Sequence, residues 1–309
     1  MNKMRGFVGF TKRNLLLFFK DKQTVFFSLL TSIIVLALYL LFLKATFANS
    51  MHSAINKYPG LISLISESEI NTFTNLILLT GILGSAMITV PYNCLATLVM
   101  DRENKVDYDI LATPLKRGQI ILSYFVSAAV SSVILTSSIL VVGLIIIGLQ
   151  GEIYLGGEQI LQAFGVVVVG SVSATAALMI VMLFFKSVNA SGAFGGILSA
   201  VSGFVIGAYI PISQFSNSVQ TVCNIFPASH VTIILRNVLI NGQLSHINES
   251  LSGIDQGMFV ASMKNLFSFK AKILGYQLDV PQMMGYVLLL ILGCIVVQIL
   301  TYSKTYKRA

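Results

Sequence analysis

The chain has 309 residues, of which 55% are hydrophobic and only 10% are charged. A soluble domain carries about 25% charged residues, so this composition excludes a water-soluble enzyme or binding domain. The net charge of +8 is not a nucleic-acid footprint either, because the Lys and Arg residues gather at the ends of apolar runs.

Residues 1–23 carry Lys3, Arg5, Lys12, Arg13, Lys20 and Lys22, interleaved with Phe7, Val8, Phe10 and the apolar run Leu15 to Phe19. That mixture predicts a helix lying in the membrane interface, aromatic side down and lysines toward anionic headgroups. No cleavable signal is expected, because the apolar run that follows is long enough to stay in the membrane. The first span is predicted over 24–43, since roughly 20 apolar residues cross a bilayer core as helix. Residues 44–70 are polar, with Pro59, Gly60, Glu67 and Glu69, and predict a loop holding a short helix. A second span covers 71–100. At about 1.5 Å per residue it reaches roughly 45 Å, more than the hydrocarbon needs, and a bend is expected near Pro91.

A charged segment, 101–118, follows, with four acidic and four basic residues between Asp101 and Arg117 and long uncharged runs on both sides. It is where that hairpin meets water, which makes it a docking surface. Span three covers 119–149, span four 158–185, and span five 191–210, closed by Pro211. Region 212–281 is mostly polar but contains the apolar piece Val231 to Ile240, interrupted by Arg236. Span six covers 282–302, and Lys304, Lys307 and Arg308 end the chain. The fold class is therefore an all-α polytopic membrane protein, a single domain over 1–309.

Six spans place both termini on one side. That side carries fourteen Lys and Arg residues against five on the other, with Lys44 at a boundary. The asymmetry puts the termini and the charged segment in the cytoplasm of a plasma membrane. Apart from Glu158 at the very start of span four, none of the six spans contains an Asp, Glu, His, Lys or Arg, which speaks against an ion-coupled carrier. There is no HExxH helix, no GxSxG elbow and no GxxxxGK[ST] phosphate loop. No catalytic, metal or cofactor site is expected, and energy for any transport must enter from another chain. Cys94, Cys223 and Cys294 lack paired spacing and read as free thiols.

Two further patterns stand out. Gly192, Gly196, Gly203 and Gly207 place small residues at helical spacing in span five, a face along which helices approach closely. Arg236 within its apolar run reads as a side chain snorkelling to the outer interface, and its spacing from His230 does not pair the two. Phe18, Phe19, Tyr124, Tyr154, Tyr276, Tyr286 and Tyr302 fall near span ends, as interface anchors do.

The run Asp101-Arg102-Glu103, then Ile110-Leu111 and Thr113-Pro114-Leu115-Lys116-Arg117, resembles the membrane subunits of ABC-2 type ABC transporters. So does Phe226-Pro227-Ala228-Ser229-His230, followed by Arg236 and Gly242, and so does the layout of interfacial helix, six spans and long fifth connection. Where the family commonly has a Gly-Thr pair and a second Glu, this chain has Lys105, Val106 and Tyr108, with acids at Asp107 and Asp109. The variant is closer to drug exporters of the daunorubicin-resistance type.

The resemblance implies a coupling helix within 101–113 seated on a separate ATP-binding subunit, with a break at Pro114. Asp101, Arg102, Glu103, Asp107, Asp109, Thr113 and Pro114 would form that joint, Arg102 and Glu103 foremost among the contacts. Pro227, His230 and Arg236 would belong to re-entrant helices capping the outer mouth. Gly192, Gly196, Gly203 and Gly207 would line the seam with a second permease copy or a related subunit. ATP and Mg would be bound by the partner and not by this chain; membrane lipids, but no nucleic acid, complete the expected partners. The implied function is export of an amphiphilic substrate, a drug, an antimicrobial peptide or a lipid-like molecule. The alternatives are a non-transporting sensor or immunity protein and, less favoured, an ion-coupled carrier.

Overall fold

The computed structural model describes residues 3–55, 65–251 and 255–305. Pro59, Gly60 and the basic residues Lys57, Lys307 and Arg308 lie outside the described residues. The chain opens with α1 (Lys3–Lys20) and α2 (Lys22–Leu38). Asp21 caps α2, accepting from the amides of Gln23 and Thr24, both at 3.1 Å. A π-helical turn, Tyr39–Leu43, leads without interruption into α3 (Lys44–Ile55). The helix thus runs well past the predicted end of span one at Leu43. The Lys44 to Ile55 part of the expected loop is helical, and its Phe47 and Met51 are buried. Lys44 interrupts hydropathy but not helix geometry, which explains the early stop read from the sequence.

The central element is α4 (Glu67–Glu103), 37 residues long, or roughly 55 Å at 1.5 Å per residue. A reciprocal capping box starts it. The Glu69 amide donates to Ser66 Oγ at 3.2 Å, and the Ser66 amide donates to Glu69 Oε2 at 2.8 Å, satisfying donors that a helix start leaves open. The helix continues through Pro91. Of its most apolar stretch, 94% is buried, because it packs against α2, α6 (Arg117–Gln150), α7 (Gly157–Met182), α8 (Val188–Val205) and α10 (Pro227–Ser250). Small side chains permit this: Gly81 meets Ala208, Gly84 meets Thr232, and Gly170 of α7 meets Met87.

A short helix, α5 (Val106–Ala112), joins α4 to α6. After α8 come a 3-10 turn (Ile212–Gln214), α9 (Asn217–Ile225) and α10, with α9 and α10 bent by 95° at Phe226. Then follow α11 (Met258–Leu266), an antiparallel hairpin of β1 (Ala271–Ile273) and β2 (Tyr276–Leu278), and α12 (Val280–Thr305). The hairpin, with Ala271 opposite Leu278, is the one departure from all-helical structure among the described residues.

Among the described residues, six helical stretches are long and apolar enough to cross a membrane: Lys22–Ser53, α4, α6, α7, α8 and the Val280–Tyr302 part of α12. The bent α9–α10 pair is a broken or re-entrant addition. In α8 and α12 only 17% of the most apolar stretch is buried within the chain, so these helices turn most of their surface to lipid or to another subunit. Three expected interface anchors are core residues instead: Phe18, Tyr124 and Tyr302 are each 3% exposed. They lie near helix ends, but packing against α4 and α6 claims them.

Candidate functional site: the charged end of the central helix

The last turn of α4 carries Asp101, Arg102 and Glu103, and each side chain ties a different element to it. Asp101 is 3% exposed. The guanidinium of Arg13, from α1, donates to it through both terminal nitrogens, at 2.5 Å and 2.8 Å, a fork that matches a carboxylate. The Tyr124 hydroxyl, from α6, donates to the same carboxylate at 2.6 Å. Phe10 completes the knot. Its ring lies edge-on to Tyr124 at 5.1 Å, and Arg13 sits 5.6 Å from its centre. The hydrogen bond to Asp101 pushes the Arg13 pKa still higher than usual, outweighing burial, so the guanidinium stays charged.

Arg102 donates to the carbonyl of Leu183 at 3.0 Å and to that of Phe185. These are the loose carbonyls at the end of α7, where a cation is favoured. Glu103 accepts the amide of Val188 at 3.0 Å, at the start of α8, where an anion is favoured. The two side chains together hold the turn between α7 and α8.

Asn104 and Lys105 then reverse the chain. Lys105 adopts a left-handed φ of 61°, a region where glycine is the comfortable residue; the Lys105-Val106 departure from the family pattern thus carries backbone strain. On α5, Ile110 is buried and packs into the core beneath, whereas Tyr108 is 68% exposed and Asp109 and Ala112 also face outward. Asp107 lies half-buried at a small cavity with Arg102, Ile110, Tyr124 and Tyr302. Thr113 closes α5, donating to the Ile110 carbonyl at 2.6 Å, and Pro114 is exposed in the link to α6.

The site residues expected from sequence therefore separate into two groups. Asp101, Arg102 and Glu103 are bound to the chain's own elements, with Glu103 also exposed at the surface. The surface left open is Lys105, Tyr108, Asp109, Ala112 and Pro114. Tyr108 and Ala112 were not among the expected residues; their four-residue spacing on α5, with Ile110 turned inward, was the available clue.

The second motif builds the bend between α9 and α10. Phe226 is extended, and Pro227 takes the first helical position, where its missing N–H costs nothing. His230 is fully buried, and its Nε2–H donates to the carbonyl of Asn224 at 2.6 Å. Arg236 does not snorkel. It is 1% exposed, and it donates to the carbonyls of Phe267 at 2.8 Å, Gly207 at 2.7 Å and Ile206 at 3.4 Å. The ends of α8 and α11 are joined through α10, because loose helix-end carbonyls attract a buried cation as well as water does. His230 and Arg236 do not touch one another.

The four glycines do not form one open stripe. Gly192 and Gly196 are exposed, with open space on their side-chain faces. Gly203 instead makes room for the Tyr209 ring, and Gly207 has φ +69° at the turn that ends α8. The inner face of α8 is tied to α4 by the Tyr92 hydroxyl, which donates to the Ser191 carbonyl at 2.5 Å.

These features define a multi-pass membrane protein whose central helix ends in a fastened charged turn and a projecting short helix. The profile of the ABC-2 type transporter family matches residues 6–240, and the chain belongs to that family. It is thereby the membrane component of an ABC-type transporter, a generally non-catalytic subunit whose family implies an ATP-binding partner. No curated protein matches the chain.

Proposed function

We propose that this chain is the permease subunit of an ABC exporter, driven by ATP hydrolysed in a separate subunit that docks on α5. The carrying observation is the base of α5: a push on this short helix meets a turn already fastened to α1, α6, α7 and α8 through Asp101, Arg102 and Glu103. Such a joint transmits a displacement to the bundle instead of absorbing it locally. Tyr108 is the anchor on the docking face, since an exposed aromatic is the residue type that carries interface energy. Asp109 gives it orientation.

The excess of Lys and Arg at this end supports a cytoplasmic position for it and for both termini at the cell membrane. A second permease copy or a related one packs against the exposed face of α8, where Gly192 and Gly196 allow close approach beside Ile197 and Val201. The interiors of the expected spans carry apolar, hydroxyl and amide side chains but no charged one, which suits amphiphilic cargo of the multidrug type better than a small ion.

The test is co-purification from mild detergent with identification of the captured chains. Wild type recovers an ATP-binding subunit. Tyr108→Ala and Asp109→Ala reduce that recovery about tenfold, the effect of losing one interface anchor of about 1.4 kcal/mol. Strong ATPase activity of this chain purified alone, or full recovery of the partner by Tyr108→Ala, overturns the reading.

A further inference from the structure

At the end of α4 opposite the charged turn lies a polar cleft of about 1140 Å³. That is at the upper limit of the size range of small-molecule sites, roughly 300–1,000 Å³. Its walls come from the first turns of α4 (Ser66 to Thr72), the last turn of α6 (Gly148 to Gln150), the 151–154 loop, and His246 and Ser250 of α10. Among the described residues, the ionisable side chains lining it are Glu69, Glu152, Tyr154 and His246, and no Lys or Arg lines it.

The cleft is built. Glu69 is held by the capping box through Oε2, and its Oε1 lies 3.1 Å from His246 Nδ1. The His246 ring is stacked on Tyr154, with centres 3.7 Å apart and planes 12° from parallel. The Tyr154 hydroxyl donates to Glu152 at 2.7 Å. The Tyr154 carbonyl sits directly against Gly242 of α10, where any side chain would collide with it. Gly151 likewise leaves room for the Thr72 hydroxyl 2.7 Å from where a Cβ would stand. Gln150 accepts from Asn75 at 3.1 Å. Two glycines therefore seat the loop so that its carboxylate and ring face the cleft.

The charge balance selects the ligand. Two carboxylates and the carbonyl end of α6 all favour a cation. The α4 amides that would favour an anion are occupied in part by the capping box. No three carboxylate, thiol or imidazole groups converge as metal ligands among the described residues, so the fitting cation is an organic one. Aromatic rings beside carboxylates are suited to an ammonium group, by ion pairing and by cation–π attraction.

We infer that this cleft is a recognition site for alkylammonium groups, with Glu69 and Glu152 as the paired carboxylates and the Tyr154–His246 stack as the aromatic wall. A free polyamine and the lysine side chain of a peptide share that chemistry. The inference goes beyond the exporter reading and holds independently of it, since the site is at the opposite end from α5.

The experiment measures equilibrium binding to the full chain in phosphatidylcholine nanodiscs, with empty nanodiscs as background. The probes are spermidine, trilysine and fully acetylated spermidine. Saturable binding of at least one charged probe is expected, with none for the acetylated one. The Glu69→Gln/Glu152→Gln double variant keeps shape and the capping acceptor, and weakens binding about tenfold or more, a loss of at least about 1.4 kcal/mol. Gly242→Ala, which displaces Tyr154 without changing charge, also weakens it; Tyr154→Ala does the same where Gly242→Ala fails to fold. Glu158→Gln, outside the cleft, leaves it unchanged. Tighter binding of trilysine assigns the site to peptides, and tighter binding of spermidine to small amines. Equal binding of the acetylated probe, equal binding by the double variant, or no saturable binding at millimolar concentration overturns the inference. None of these outcomes depends on an ATP-binding subunit.

Discussion

The two ends of α4 use charge in opposite ways. At its C-terminal end Asp101, Arg102 and Glu103 are all engaged within the chain, with Arg13, the end of α7 and the start of α8. At its N-terminal end Glu69 is engaged by Ser66 and His246 yet still lines an open cleft together with Glu152. Charges satisfied internally fix the geometry of a joint and are poor at recognising anything else. Charges left facing a cavity can select a ligand. The same residue types therefore report different work, and the distinction lies in what surrounds them.

The contrast breaks most visibly at Asp101. Asp101→Ala strands Arg13 and the Tyr124 hydroxyl, and should cost about 3 kcal/mol, the low end for breaking a buried pair, because Arg13 keeps 34% exposure. Thermal unfolding in detergent measures it, and a change below about 0.5 kcal/mol would deny the knot any role. Next in size is Arg236→Met, which removes the donor shared by the Gly207 and Phe267 carbonyls. About 2 kcal/mol is expected: carbonyls lose their partner, while the desolvated charge is relieved. Arg236→Lys should recover little of it, since an ammonium lacks the planar fork.

Tyr108→Ala sharpens the comparison from the other side. It should leave unfolding within about 0.5 kcal/mol of wild type, as exposed substitutions do, while reducing partner recovery; a matching loss of stability would mean that α5 is a structural element only. The smallest effect has the opposite sign. Lys105→Gly relieves the left-handed backbone and should stabilise by up to about 1 kcal/mol, read from the same unfolding curves.

Much of the fold was legible because hydropathy and helix length govern it. The long apolar helices run close to the expected spans, apart from the continuation of the first through Lys44 to Ile55, where burial of Phe47 and Met51 outweighs a polar pattern. The charged segment was visible as a segment, but not its division of labour. Arg13 and Asp101 are 88 positions apart, and no local pattern pairs them. Arg236 was misjudged for a related reason. Its partners are backbone carbonyls at helix ends, which have no signature in the side-chain alphabet. The cleft was missed entirely, since Glu69, Glu152 and His246 come from three separate elements, and Gly242 shows its purpose only when Tyr154 is seen against it.

The Asp101 knot also sets an order of assembly during synthesis. Arg13 emerges before Asp101, so the carboxylate meets its cation as soon as α4 is complete, whereas Arg102 and Glu103 must wait for residues 183–188. A nascent chain halted after α6 should already crosslink between cysteines introduced beside the intact Arg13–Asp101 pair, while a crosslink beside Glu103 and Val188 requires α8. The three consecutive residues of this turn thus act as a checkpoint, the first closing early and the other two only once the fourth and fifth spans have arrived.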